Sequence, residues 1–225
     1  IMDGNGRWAR SRGKDRLEGH KAGTENIRQV MEAFSRSGVA YVTLFALSTE
    51  NWERPSDEVQ GLIEILRQMI GSEVQRLHQQ GVRIRHLGRL DRLSPGLQGA
   101  IEDSMELTRS NTGLTLSVAF DYGGRDEILD AVRGIVAQGT PPHQITEEVL
   151  RGHLYTDGLP DPDLIIRTAG EMRISNFLIW QAAYAEYYAT DAHWPDFDES
   201  EVAKALDAFG ARKRRYGRLD PVETA

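Results

Sequence analysis

Cysteine is absent from the 225-residue chain, which excludes a disulfide framework, a thiolate zinc site and a cysteine nucleophile. No run approaches the ~18 consecutive apolar residues of a membrane-spanning helix. A secretory apolar region is lacking too, so a cytoplasmic address is expected, with at most a peripheral reach to a membrane. Excess positive charge is also missing. The balance of 27 Lys+Arg against 34 Asp+Glu leaves a net charge of −7, which favours solubility and argues against nucleic acid as a partner. A pocket can still concentrate arginines while the remaining surface stays acidic. The chain contains 40% hydrophobic and 27% charged residues, and its length suits one large domain able to bury roughly 70% of the unfolded surface. The sequence opens in mid-pattern at Ile1-Met2-Asp3, so a short N-terminal lead-in is expected upstream.

Short apolar or β-branched runs at 41–47, 82–87, 114–120 and 164–166 alternate with longer helical patterns. In one of these patterns Val59, Leu62, Ile63, Leu66, Ile70, Val74 and Leu77 form a stripe at i, i+3, i+4, i+7, the mark of an amphipathic helix. Ser56-Asp57-Glu58 supplies its start and Gly81 its stop. A first strand ending near Met2 and the strand at 41–47 would flank a helix over 21–36. The expected fold is α/β, a single domain over 1–225 with a largely parallel central sheet flanked by helices. The short stretch 138–142, with Pro141 and Pro142, reads as a join between two helices rather than a domain boundary. In such sheets ligands bind at the carboxyl ends of strands, which directs attention to the loops after Met2, Leu47, Phe120 and Ile166.

Three of these loops carry anion-binding chemistry. In Asp3-Gly4-Asn5-Gly6-Arg7-Trp8, two glycines let backbone approach an anion, Arg7 can grip phosphate oxygens and Asp3 can hold Mg²⁺. Asn-Gly and Asp-Gly are also ordinary turn dipeptides. An EF-hand fails, because Arg7 and Lys14 fall where calcium ligands are needed. Ser48-Thr49-Glu50-Asn51-Trp52-Glu53-Arg54-Pro55 crowds polar groups, a tryptophan and an arginine before the long helix, and alone reads equally as a capped helix start. Arg167-Thr168-Ala169-Gly170-Glu171-Met172-Arg173-Ile174-Ser175-Asn176 offers two arginines, backbone amides and a hydroxyl, a better anion cradle than an isolated glycine loop. In Tyr184-Ala185-Glu186-Tyr187-Tyr188, the aromatics read as core and Glu186 as a satisfied buried acid.

These motifs, with Gly19-His20-Lys21-Ala22-Gly23, Asp121-Tyr122-Gly123-Gly124-Arg125 and Trp194-Pro195-Asp196-Phe197, stand in the order found in the cis-prenyltransferases, which the chain resembles over nearly its whole length. The resemblance implies a fold peculiar to that family, not a Rossmann fold. It also implies a Mg²⁺-dependent homodimeric enzyme that joins isopentenyl diphosphate to an allylic diphosphate, farnesyl diphosphate in most members. The product would be a long-chain polyprenyl diphosphate, undecaprenyl diphosphate in bacterial members, the precursor of the lipid carrier for cell-wall synthesis, delivered to the membrane. The chain lacks the DDxxD motif of trans-prenyltransferases, in agreement.

By position, Asp3 and Asn51 would be catalytic, and Asp3 and Glu186 would hold metal, Glu186 from a neighbouring position or a partner subunit. Gly4, Asn5, Gly6, Arg7, Trp8, Arg16 and His20 would bind the allylic diphosphate. Ser48 and Asn51 would assist proton removal from the isopentenyl unit, with Ser48, Thr49, Glu50, Trp52 and Arg54 binding substrate and Glu58 nearby. Arg167, Arg173, Ile174 and Ser175 would hold isopentenyl diphosphate. Arg215-Tyr216-Gly217, in a tail near 216–225, resembles an ending that reaches a partner's site. Ala169, Met172 and Asp121 depart from the family's usual residues. Two rival readings are a non-catalytic subunit of the same fold and a synthase of shorter chains; the intact Asp3 loop and arginine loop favour an enzyme. A phosphate-binding hydrolase would need a nucleophile or paired carboxylates that no motif supplies.

Overall fold

The computed structural model describes residues 1–212; the Arg215-Tyr216-Gly217 ending lies outside the described residues. Five strands and seven helices alternate in an α/β arrangement. In chain order they are α1 (Asn5–Ser11), α2 (Arg16–Arg36), β1 (Tyr41–Ser48), α3 (Ser56–Gln79), β2 (Arg83–Leu87), α4 (Pro95–Thr108), β3 (Thr115–Tyr122), α5 (Gly124–Ala137), α6 (Glu147–Arg151), β4 (Leu164–Arg167), β5 (Glu186–Ala189) and α7 (Glu199–Gly210). Every strand pairing is parallel, but the expected single sheet is divided into a three-stranded sheet, β1-β3-β2, and a pair, β4-β5. The expected strand ending near Met2 is not formed. Residues there lie along β4, with the Ile1 N–H donating to the Ile166 carbonyl at 2.6 Å and the Thr168 N–H to the Ile1 carbonyl at 3.4 Å, too few bonds for a ladder.

Helix α2 begins five residues before the expected start, at Arg16, because Asp15 and Glu18 form a capping box. Its contact with α1 explains the paired glycines at 19 and 23. A Cβ at Gly19 would stand 2.1 Å from the Asn5 carbonyl oxygen, and one at Gly23 2.2 Å from Asn5 Oδ1. Only glycine lets the two helices approach so closely. Trp194 and Phe197 anchor the same helix: the Trp194 indole N–H donates to the Gly23 carbonyl at 2.7 Å, and Asn26 Nδ2 donates to the carbonyls of both.

The two faces of the large sheet are buried differently. Val42, Leu44 and Leu116 pack with Val30, Met31 and Phe34 of α2, while Phe120 packs with Leu62 of α3 and Leu97 and Ile101 of α4. On the opposite face Leu87, Ala119 and Tyr122 meet Phe177 and Leu178. The edge of β2 is covered by α4, where Thr108 Oγ1 accepts the Ile84 N–H at 3.0 Å and Met105 Sδ the His86 N–H at 3.3 Å. Sequestering an edge in this way blocks pairing with another chain.

Candidate active site

A cavity of about 420 Å³ lies between the large sheet and helices α2, α3 and α4. Its mouth is at the carboxyl ends of β1 and β4, as expected of this class of sheet, and is lined by Asp3, Asn5, His20, Ser48, Asn51, Arg54, Arg167, Arg173 and Ser175. Its interior is largely apolar, walled by Ile27, Leu44, Leu62, Leu66, Met69, Ile70, Leu116, Val118 and Phe120, with Thr24, Glu73, Arg85, His86 and Ser104 among them. The α3 stripe seen in the sequence supplies much of that wall.

At the mouth Asp3 and Arg167 form the inner pair. Arg167 Nη2 donates to Asp3 Oδ2 at 2.8 Å, and the Gly4 N–H donates to Asp3 Oδ1 at 2.7 Å. Arg7 Nη2 lies 3.4 Å from Asp3 Oδ1. Burial raises the Asp3 carboxyl, but the Arg167 and Gly4 hydrogen bonds, together with the Arg167 and Arg7 charges, outweigh it and hold the group below its ordinary value. Asp3 is therefore ionised at neutral pH. Arg167 is buried, and its Nη1 donates to Ser175 Oγ at 2.8 Å and to the Arg173 carbonyl. Its Nε is buried with no partner. Glu171 bridges the more exposed cations Arg7 and Arg173.

A second cluster faces this one across the mouth. Arg16 Nε, Arg54 Nη1 and His20 Nε2 converge on Glu58 Oε1 at 3.0, 2.9 and 3.6 Å. Burial lowers the His20 imidazole, the Glu58 charge raises it, and Arg54 and Arg16 lower it further, leaving it below its ordinary value and neutral at pH 7. Glu58 was expected only as a neighbour. Its spacing of four from Arg54 was the signal for its organising role.

Ser48 and Asn51 brace one another at the end of β1. Ser48 Oγ accepts the Asn51 backbone N–H, and Asn51 Oδ1 accepts the Ser48 N–H at 3.2 Å. Asn51 therefore keeps its amide Nδ2 as a donor at the cavity wall, while the Ser48 hydroxyl is hydrogen-bonded to the Glu50 carboxylate.

Several expected site residues lie elsewhere. Trp8 stands outside the cavity, its indole N–H donating to Asp196 Oδ1 at 2.7 Å beneath Arg12 and Lys14. Thr49, Glu50 and Trp52 leave the back of the β1–α3 turn, bonded to Asp126, Asn176 and Asp121. Ile174 packs into the cluster beneath the loop. Gly4 and Gly6 contribute backbone, Gly6 beside Arg16. Glu186 opens β5 opposite Leu164, three residues before the Ala189 that pairs with Arg167, and Arg212 Nη1 meets its carboxylate at 2.7 Å. It does not line the cavity, so within one chain it and Asp3 are not brought together. Tyr184 and Tyr187 are exposed rather than core: Tyr187 lies on a four-residue strand at the sheet's edge, and Tyr184 ends the 3₁₀ helix Gln181–Tyr184 before it.

Comparison with known proteins assigns the architecture. The undecaprenyl diphosphate synthase model of the prenyltransferases matches residues 1–217. The chain belongs to that family. It is 49% identical over 225 residues to the Escherichia coli (strain K12) ditrans,polycis-undecaprenyl-diphosphate synthase, (2E,6E)-farnesyl-diphosphate specific, spanning 98% of this chain and 89% of that one. It is 46% identical over 229 residues to an isoprenyl transferase of Brucella abortus, spanning 100% and 90%. A crystal structure of lavandulyl diphosphate synthase from Lavandula x intermedia in complex with dimethylallyl diphosphate superposes with a TM-score of 0.93 at 37% identity, covering 97% of this chain and 96% of that one. As a family member the chain is a prenyl transferase, and the shared architecture is that of the cis-prenyltransferases.

Proposed function

We propose that the chain condenses isopentenyl diphosphate with an allylic diphosphate, farnesyl diphosphate, and repeats the step to make undecaprenyl diphosphate. The observation that carries the reading is the continuity of the cavity. A mouth bearing Arg167, Arg173, Arg54 and His20 opens directly into a largely apolar interior, the shape needed by a substrate that is diphosphate at one end and hydrocarbon at the other. The farnesyl diphosphate in the name of the Escherichia coli relative and the dimethylallyl diphosphate of the lavender structure are both allylic diphosphates, which supports that substrate class.

In this reading the allylic diphosphate sits against Gly4, Asn5, Gly6, Arg7, Arg16 and His20, and isopentenyl diphosphate against Arg167, Arg173 and Ser175. Cleavage of the allylic C–O bond sends its electron pair to the departing diphosphate. The arginine forks stabilise that charge, each charge-assisted bond contributing about 1.5–3 kcal/mol. The isopentenyl double bond attacks the allylic carbon and a proton is then lost. Neither an amide nor a hydroxyl is a base at neutral pH, so Ser48 and Asn51 orient the isopentenyl unit while a diphosphate oxygen takes the proton.

The donor set fits Mg²⁺. Asp3 is an ionised carboxylate at the mouth. A small hard cation held by one carboxylate, substrate phosphates and water matches that pattern. When bound it would neutralise charge on the leaving diphosphate. We further propose a homodimer. The stripe Leu129, Val132 and Val136 on α5 is exposed to 52%, 45% and 67%, and a second copy would cover it.

Each five-carbon unit buried adds at most roughly 3–4 kcal/mol, at about 0.8 kcal/mol per CH₂. Summed over a long chain this exceeds the practical affinity ceiling of about 18–21 kcal/mol. The full product is therefore not held with full efficiency, and release to a membrane surface completes the cycle. Incubating the protein with farnesyl diphosphate, labelled isopentenyl diphosphate and Mg²⁺, then chromatographing the lipid, tests the reading. Label in undecaprenyl diphosphate is expected. Label confined to a short product would make it a shorter-chain synthase, and no transfer would leave only a binding subunit.

A further inference from the structure

The segment around Asp121-Tyr122-Gly123-Gly124-Arg125 has no part in the chemistry above, yet it meets both substrate-facing loops. The turn Thr49–Glu53 is a 3₁₀ helix, with three residues per turn, so positions 48, 51 and 54 share one face. That face lines the cavity. The back of the turn is held three times: Thr49 Oγ1 donates to Asp126 Oδ2 at 2.8 Å, Trp52 Nε1 to buried Asp121 Oδ1 at 2.7 Å, and Asn176 Nδ2 to Glu50 Oε1 at 2.8 Å. Asn176 is fixed in turn. Its carbonyl accepts the Gly124 N–H at 2.7 Å and its Oδ1 the Arg125 N–H at 2.9 Å. It directly follows Ser175, the residue bonded to Arg167, and stands at a φ of 63°, a conformation a non-glycine residue keeps only where its surroundings hold it. A Cβ at Gly123 would lie 2.6 Å from Thr49 Oγ1 and 2.9 Å from Asn176 Nδ2, so glycine there is what lets the segments meet.

We propose that Asn176 is a positioning residue that ties the isopentenyl diphosphate loop to the back of the turn carrying Ser48 and Asn51, setting the two in register for bond formation. This rests on the prenyl-transfer reading. Asn176 uses its amide oxygen on Arg125 and its amide hydrogens on Glu50, so only a side chain with both an acceptor and a donor closes the bridge. N176D keeps the acceptor but sets a carboxylate against the Glu50 carboxylate. N176G keeps the positive φ and the Gly124 bond and removes both side-chain bonds.

Both variants are expected to lower kcat tenfold or more and to raise KM for isopentenyl diphosphate several-fold, with farnesyl diphosphate affinity within twofold of wild type. N176D/E50Q restores a donor–acceptor pair with its polarity reversed and should return kcat to within threefold of wild type, whereas N176G/E50Q should not. Wild-type kcat in N176G, or N176D/E50Q no better than N176D, would overturn the assignment. Wild-type protein assayed alongside separates the two failures: if it transfers no label, the prenyl-transfer reading falls and this one with it, whereas an active wild type beside a fully active N176G removes the positioning role alone.

Discussion

Asp3 has two tasks that conflict when it is removed. In the proposed function its carboxylate holds metal, and it is also the partner of Arg167, whose side chain is only 8% exposed. Deleting one member of such a pair strands the other charge. Asp3→Ala should therefore drop kcat below a tenth of the wild-type value and also lower the thermal midpoint by a few degrees, checked by steady-state assay and thermal melts. Retention of a tenth of the activity would remove Asp3 from the chemistry. His86 is a second residue with a measurable signature. Burial lowers its imidazole to about 4, with hydrogen bonding at the Arg89 and Gly88 backbone only partly opposing. The folded value lies below the unfolded value of about 6.5, so the native state resists protonation. Stability is complete above pH ~6.5 and is lost as pH falls towards the folded value, by roughly 2–3 kcal/mol from this group. Denaturant unfolding at pH 7.5 and 4.5 should show that loss in wild type and a smaller one in His86→Leu. Equal losses would mean that His86 is not the titrating group.

Helix α3 serves as both cap and wall at the scale of elements. Its first turn carries Glu58, which gathers Arg16, Arg54 and His20, and one stripe of the same 24 residues lines the largely apolar interior. Leu62 and Leu66 both face the cavity, but Leu62 is also packed against Phe120 and Leu97. A tryptophan at 62 overfills that contact at a cost of about 1–3 kcal/mol, whereas half-buried Leu66 has more room. Leu66→Trp should shorten the polyprenyl product while the first condensation proceeds at a rate near wild type; Leu62→Trp should also lower the thermal midpoint. Chromatography of the product beside a melting curve distinguishes tunnel wall from plain core, since core alone would change stability at constant chain length. The helix was legible because its period is strong and its ends are marked. The first turns of α2 were passed over although Asp15 and Glu18 spell a capping box. β5 was missed because four residues with exposed tyrosines carry no alternation to read.

At the scale of the whole molecule, the limiting event is expected to be release of hydrocarbon. Micellar detergent or anionic vesicles should raise multiple-turnover rates several-fold and leave a single turnover unchanged. An equal response of both would place the limit in chemistry. Chelating Mg²⁺ should abolish transfer and leave the thermal midpoint nearly unaltered, because Arg167 already neutralises Asp3 in the folded chain. No helix among the described residues is long and apolar enough to span a membrane. The sequence by itself determined the α/β alternation, the long amphipathic α3 and the anion-binding chemistry of the Asp3 and Arg167 loops. Each is a local matter of period, capping or residue chemistry, and each survives whatever surrounds it. Only the tertiary structure decided which side of a loop faces the cavity. Residues 48 to 54 are polar but for Trp52, yet a three-residue period and the partners Asp121, Asp126 and Asn176 turn Ser48, Asn51 and Arg54 inward and Thr49, Glu50 and Trp52 away. It also decided that Glu186 answers Arg212 and not Asp3, because the register of β4 on β5 sets that distance and no local pattern records it.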